Sequence, residues 1–140
     1  MAFRSKVRWR THPWFRVLRY GFCPDEAAWE YERDRALKRA HVEIGPYPAS
    51  LKYPGMTTSF INDGGARCHL VTLADDLDDD PIRLVSTIAH ESVHVAEAII
   101  EAMADANPSE EFRAYAVGAI TGEIFEDYSR VRSPAAKAAS

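Results

Sequence analysis

The spacing of apolar residues after position 80 is typical of an amphipathic helix. The apolar residues that recur three or four positions apart are Val85, Ile88, Ala89, Val93, Ala96, Ile100 and Met103. Such spacing places them on one face of a helix. Asp80 can act as the N-cap, and Pro81 takes the first helical position, where its missing N–H costs no hydrogen bond. We therefore predict a helix from Pro81 whose apolar face packs against a core.

A second helix is predicted over about residues 108–131. Asn107 can cap it, and Glu110, at the third position, can return a hydrogen bond to the backbone of Asn107 in a capping-box arrangement. This gives Glu110 a structural role and leaves Glu111 free to point elsewhere. Tyr115 lies four residues further along the same stripe as Glu111.

The patterns before position 80 add strands. A helix is predicted from Pro24-Asp25-Glu26 to about Ala40, and a short strand over residues 41–44. Two β-like runs, 57–61 and 67–73, flank Asn62-Asp63-Gly64-Gly65, which is a strong hairpin signal. We therefore predict an α+β fold, in which a small antiparallel sheet packs on the helix from Pro81 and on the helix that follows it.

Charge is distributed unevenly along the chain. The net charge is −4, yet residues 1–19 contain six Arg or Lys side chains and no acid. Within this segment Phe3, Val7 and Trp9 alternate with basic residues, as in a half-buried strand with one basic face. Residues 1–20 are therefore predicted to be a basic arm or strand, which either docks on the domain or grips nucleic acid or an acidic partner. We rank nucleic acid below a polypeptide as the partner.

Length and composition indicate one soluble domain. The chain has 140 residues, 46% of them hydrophobic, and no apolar run long enough to span a membrane. It opens without a secretory leader, and Cys23 and Cys68 have no metal-ligand spacing, so we expect free, buried thiols in a cytoplasmic protein. The predicted organisation is the N-terminal arm, a domain over residues 21–131 and a flexible tail over residues 132–140.

The motif that indicates a chemistry is His90-Glu91-Ser92-Val93-His94. Two histidines four apart on a helix lie about 6 Å apart along the axis, so both imidazoles can bind one Zn²⁺ ion. Glu91 lies about 100° round the helix, where it can serve as a general base but not as a ligand. The alternative is an ordinary helix with two solvent-facing histidines.

A catalytic zinc usually has three protein ligands, so one more donor is needed. Glu97 is roughly 10 Å beyond His90 along the helix and is excluded on that ground. The next helix offers Glu111 as the third metal ligand, with Glu110 as the alternative. A closed structural site would need a fourth ligand, for which His69 or Glu110 are the candidates.

These residues resemble a known class of protein. His90-Glu91-x-x-His94 followed by Glu111-Phe112-Arg113-Ala114-Tyr115 is similar to the gluzincin class of zinc metallopeptidases. Together with Gly45-Pro46-Tyr47-Pro48 and Thr57-Thr58-x-Phe60, the pattern resembles small metallopeptidase-like proteins encoded in the structural gene clusters of tailed bacteriophages. The resemblance covers roughly residues 12 to 128. It implies a minimal zincin-like domain in which the sheet edge pairs with an extended substrate.

The predicted function is hydrolysis of amide bonds by a zinc-activated water. His90, His94 and Glu111 would bind Zn²⁺, and Glu91 would take the proton and pass it to the leaving amine. Tyr115 is a candidate for orienting a ligand or stabilising the oxyanion. The alternative is a non-catalytic zinc-binding structural or assembly protein of a virion. On the phage resemblance, the protein would act on polypeptides or virion proteins in the host cytoplasm or the virion.

Overall fold

Four strands and four α-helices make up the described part of the chain. The computed structural model describes residues 6–12, 15–41, 43–48, 53–62, 64–103 and 107–139. The elements are β1 (Arg10–His12), β2 (Phe15–Phe22), α1 (Glu26–Ala40), β3 (Gly55–Ile61), β4 (Arg67–Leu73), a 3-10 helix (Asp75–Asp79), α2 (Pro81–Ala102), α3 (Glu110–Val131) and α4 (Pro134–Ala139). This confirms an α+β fold, with the β3–β4 hairpin where the sequence predicts it.

The sheet is mixed, and the prediction of a purely antiparallel sheet is wrong. Its order is β1-β2-β4-β3, with β2 parallel to β4 and the two outer pairs antiparallel. A parallel pair needs a long crossover between its strands, and here that crossover includes α1. The strand β3 lies at one edge of the sheet.

The basic N-terminal segment is part of the sheet. Leu18 and Tyr20 of β2 are buried in the core, and β1 pairs with β2. The Arg10 guanidinium donates to the buried Asp127 carboxylate of α3 at 2.8 Å. Of the two predictions for residues 1–20, docking on the domain is the one that the described residues follow, although Phe3 lies outside them.

The predicted strand at residues 41–44 is absent from the part that the structure describes, which omits Val42. Helix α1 spans nearly the predicted range, and Asp25 caps it, since its carboxylate accepts from the Ala28 N–H at 2.8 Å. His41 ends the helix with φ of 52°, in the left-handed region. That turn redirects the chain where an extended strand was predicted. Cys23 and Cys68 are both buried and free, as predicted.

Helix α2 has the predicted N-terminus, and its buried face shares Ile88, Ala96 and Ile100 with the predicted one. Asp80 accepts from the Arg83 N–H at 3.1 Å, and Pro81 opens the helix. Val85 and Val93, predicted to lie in the core, are 47% and 42% exposed. The apolar residues of α2 that are buried are Leu84, Ile88, Val95, Ala96, Ile99 and Ile100. The difference arises because α2 packs against both β3 and α3, so its buried arc also includes polar residues that face the sheet.

Helix α3 begins later than predicted, at Glu110. Ser109 is its N-cap and accepts from the Phe112 N–H at 3.1 Å. The prediction of Asn107 as cap and Glu110 as its capping-box partner is therefore wrong. Ser109 has an extended backbone, which leaves Pro108 outside the helix. Glu110 is therefore not set apart from Glu111 by a capping role.

The start of the predicted C-terminal tail packs on the domain. Arg132 is 4% exposed, and its guanidinium donates to the Leu73 carbonyl at 2.8 Å and to the Asp78 carboxylate at 3.0 Å. The short helix α4 follows it. The domain therefore continues past the predicted boundary at Val131. None of the helices within the described ranges combines the length and apolar content of a membrane span.

Candidate functional site

A cleft of about 970 Å³ lies between the edge strand β3 and helix α2. Its strand side is lined by three small residues of β3, Gly55, Thr57 and Ser59. Its helix side carries His90, Glu91 and His94. The HExxH residues therefore line a concave surface instead of a plain solvent-facing helix face. This is the kind of setting in which a metal or a ligand can bind.

The two histidines converge on one point. Their Nε2 atoms are 3.3 Å apart, and the ring planes are inclined by 77°. A tetrahedral Zn²⁺ ion with Zn–N bonds of about 2.0–2.1 Å places two nitrogen ligands about 3.3–3.4 Å apart. The residues present therefore fit a shared metal ion by their separation. The same separation also lets one neutral imidazole donate an N–H to the other, so the pair keeps this distance without a metal as well.

Glu91 points into the same cleft from the next position on the helix. Its side chain is 4% exposed. The Thr57 hydroxyl of β3 donates to Glu91 Oε2 at 2.7 Å, which fixes the carboxylate against the sheet edge. One carboxylate oxygen is thus held by the strand, and Glu91 lines the cleft that the histidines share. A general base must be held in a fixed position near the proton that it takes, and the Thr57 contact fixes the Glu91 carboxylate in this way.

Gly55 allows β3 to approach α2 at this point. A Cβ atom on Gly55 would lie 2.6 Å from Thr87 Cγ2 and 3.1 Å from Glu91 Cγ. Both distances are shorter than ordinary van der Waals contact, so strand or helix would have to shift. The glycine therefore keeps Thr57 within hydrogen-bonding distance of Glu91.

Gly55→Ala is expected to destabilise the fold by about 1–3 kcal/mol, because it overpacks the contact between β3 and α2. Thr87→Ser removes the Cγ2 atom that the new methyl group would meet, so it should recover most of the loss in the double variant. Urea unfolding of the single and double variants measures this coupling. Gly45→Ala is the control, because its Cβ would meet nothing within 4 Å. Equal losses for Gly55→Ala and Gly45→Ala would contradict the packing argument.

His69 and Ser59 form a polar pair further along the cleft. The Ser59 hydroxyl lies 2.8 Å from His69 Nδ1, while His69 Nε2 is buried without a hydrogen-bond partner among the described residues. Burial lowers the pKa of His69, and nearby Arg67 lowers it further while Glu101 opposes the shift. Of the two predictions for this residue, facing the cleft is the one observed. The two-residue period of β4 carries this signal, since it places His69 on the same sheet face as the buried Val71 and Leu73.

The structure does not bring Glu111 and Tyr115 to the histidines. Both are exposed on α3, Tyr115 to 76%, and neither lines the cleft. An ion pair between Arg113 and Glu97 fixes the start of α3 beside the C-terminal half of α2. Glu111 precedes Arg113 and so lies toward the turn between the helices, away from His90. Glu111 as third ligand stays a prediction.

Glu97 is the acidic residue that sequence reasoning set aside and that the structure places on the cleft. It lines the same surface as His94, three residues earlier on α2. Within the described ranges, however, no three His, Cys, Asp or Glu side chains are grouped closely enough to hold a metal ion together. The described residues of the site are therefore a histidine pair with a neighbouring carboxylate. Comparison with protein-family models, with curated proteins and with solved structures gave no match to this chain.

Proposed function

We propose that the protein is a zinc-dependent peptidase whose metal is held by His90 and His94 and whose general base is Glu91. The observation that carries this proposal is the 3.3 Å separation of the two Nε2 atoms beside a carboxylate fixed by Thr57. A third ligand completes the site, and the candidate from the sequence is Glu111, with Glu110 as the alternative. Glu97 lines the cleft, but it lies about 10 Å beyond His90 along α2 and is paired with Arg113. Zinc, when bound, supplies a Lewis acid that lowers the pKa of a coordinated water to about 7.

Glu91 is the residue that moves the proton in this proposal. Its Oε2 atom is engaged by the Thr57 hydroxyl, which orients the carboxylate. The carboxylate would accept the proton of the attacking water and pass it to the leaving amine. Burial of Glu91 supports this role, because a base shielded from bulk water keeps the proton it has taken for delivery to the substrate.

The shape of the cleft favours an extended polypeptide as the substrate. The α2 residues that line it run from Ser86 to Glu101, about 22 Å at about 1.5 Å per residue. That length accommodates about six or seven residues of extended chain at about 3.3 Å each. Because β3 is an edge strand, its outer backbone groups can pair with such a chain.

The alternative function is a zinc-binding structural or assembly protein of a virion. A structural zinc site is usually closed by four protein ligands. Here the histidine pair opens on a cleft of about 970 Å³, which favours a site that keeps a coordination position for water or substrate. We therefore propose phage structural proteins as substrates, and as assembly partners only in the alternative function.

Metal removal and restoration test the proposal. Zinc-loaded protein should cleave members of a peptide library or of the neighbouring virion proteins that the phage resemblance suggests. Chelation should abolish cleavage, and added zinc should restore it. Fragment masses before chelation, after it and after restoration provide the measurement. Zinc-loaded protein that cleaves nothing, but is needed for virion assembly in a zinc-dependent way, would support the alternative.

A further inference from the structure

Three arginines differ from the rest in having no acidic partner. Arg19, Arg35 and Arg39 form no ion pair with any carboxylate in the part of the chain that the structure describes. Every other arginine whose side chain is described pairs with an aspartate or a glutamate. The net charge of the chain is −4, so acidic side chains outnumber basic ones. The absence of an acidic partner from these three arginines is therefore not due to a shortage of acids.

The same three arginines line one small pocket of about 200 Å³, which we call the arginine pocket. Arg35 and Arg39 lie four residues apart on one face of α1, and Arg19 lies on the adjacent strand β2. Clustered guanidinium groups repel one another, and a bound anion would remove that repulsion. The pocket therefore has the charge of an anion-binding site.

Among the described residues, Glu32 is the carboxylate that lines the arginine pocket, and it is already engaged. Glu32 is 7% exposed, and it accepts a hydrogen bond from Trp9 Nε1 at 3.3 Å. Burial raises the pKa of Glu32, although the Trp9 hydrogen bond and the charge of Arg35 oppose that shift. Glu32 is thus held toward the indole and forms an ion pair with none of the three arginines.

Aromatic rings on the wall of the arginine pocket indicate which anion it fits. Trp9 and Phe60 both line it, with ring centroids 6.0 Å apart in an edge-to-face arrangement. Guanidinium groups bind phosphate oxygens in a bidentate manner, and exposed aromatic faces stack on nucleobases. An acidic peptide would use the charges but not the rings. The combination therefore favours a nucleotide chain over a carboxylate ligand.

We propose that the arginine pocket binds single-stranded nucleic acid, with backbone phosphates on Arg19, Arg35 and Arg39 and one base against Trp9 and Phe60. The pocket is distinct from the cleft, because Phe60 and Cys68 point to the opposite sheet face from Ser59 and His69. It takes Trp9 and Arg19 from the predicted basic arm, whereas Arg8 and Arg10 of that arm are paired with Asp127. The proposal does not depend on peptidase activity.

Fluorescence anisotropy with a short labelled oligothymidylate tests this proposal on the full chain. The Arg35→Gln/Arg39→Gln variant should bind at least about tenfold more weakly, and the salt dependence of binding should become shallower by roughly one to two ion equivalents. Arg33→Gln is the matched control on the same helix, because Arg33 is paired with Asp34 and does not line the pocket. Removal of this one charge should change the affinity for the oligonucleotide by less than about twofold. Phe60→Leu should weaken binding without altering the salt slope.

Competition experiments identify the source of the anion. Oligothymidylate should displace the labelled strand, whereas inorganic phosphate and oligoglutamate at the same concentration of anionic groups should not. Equal loss of affinity in the Arg33→Gln and the Arg35→Gln/Arg39→Gln variants would overturn the proposed site. Equal displacement by oligoglutamate would assign the surface to an acidic protein partner, and equal displacement by inorganic phosphate would reduce it to a site for the free ion. Circular dichroism melting of each variant confirms that the fold is retained.

Discussion

Glu91→Gln is expected to lower peptide cleavage by about 10²-fold or more while the protein keeps its zinc and its fold. The amide is nearly isosteric with the carboxylate and can still accept a hydrogen bond from the Thr57 hydroxyl. It cannot accept the proton of the attacking water. The loss should therefore appear in the catalytic rate rather than in zinc content, which elemental analysis and initial-rate measurements on one preparation separate.

Glu101→Gln is the matched control for this experiment. Glu101 lines the same cleft and undergoes the same chemical change, but it is exposed and pairs with Arg67 at 3.9 Å. Because it lies ten residues beyond Glu91 on α2, it should leave the rate within about twofold of wild type. If Glu91→Gln cleaves as fast as Glu101→Gln, Glu91 is not the general base. If, in addition, the Glu91→Gln variant supports virion assembly to the same extent as wild type, the result favours the structural alternative.

Local sequence signals were sufficient for the elements that present the cleft. The Asp80-Pro81 start of α2 and the bounds of β4 follow from capping and turn chemistry that act within a few residues. The Asn62 side chain fixes the hairpin by accepting from the backbone N–H groups of Gly64 and Ala66. Such contacts join residues a few positions apart, so they can be predicted from a short segment of a single sequence.

The pairing of β2 and the buried face of α2 depend on long-range packing, which the sequence pattern does not contain. The strand β2 reads as part of a basic arm until it is seen to pair with β4, about fifty residues later in the chain. Val85 and Val93 fit a helix face as well as Leu84 and Val95 do, and only the positions of β3 and α3 select the second pair for burial. A single apolar spacing admits both faces, because a helix of this composition is apolar around much of its circumference.

The residues of the cleft were likewise predictable only where one helix sets their positions. The i, i+4 spacing of His90 and His94 was enough to predict that their imidazoles converge, since the helix alone sets that geometry. Glu97 lies on the same stripe of α2 as His90 and His94, so spacing within that helix is enough to place it on the cleft. Whether Glu111 can reach the histidines depends instead on how α3 lies along α2, where the Arg113–Glu97 ion pair leaves Glu111 toward the turn. No spacing rule within either helix contains the position of one helix along the other.

His90→Ala and His94→Ala are each expected to release zinc from a protein that otherwise binds about one ion per chain. Each substitution removes one of the two nitrogens that lie 3.3 Å apart, and a single imidazole holds the ion far more weakly. Both side chains are exposed, so the apo fold should change little in denaturant unfolding. His41→Ala is the control, because His41 is an exposed histidine outside the cleft.

The same zinc titrations identify the third ligand. Glu111→Gln removes the predicted third ligand, and Glu97→Gln removes a carboxylate on the cleft that lies about 10 Å beyond His90 along α2 and should therefore cost less zinc affinity. Arg113→Gln is needed beside it, because loss of the Glu97 ion pair alone could shift α3. A larger loss for Glu111→Gln would mean that α3 moves toward the histidines when zinc binds. Full zinc occupancy in both histidine variants would overturn the metal site and the peptidase proposal with it.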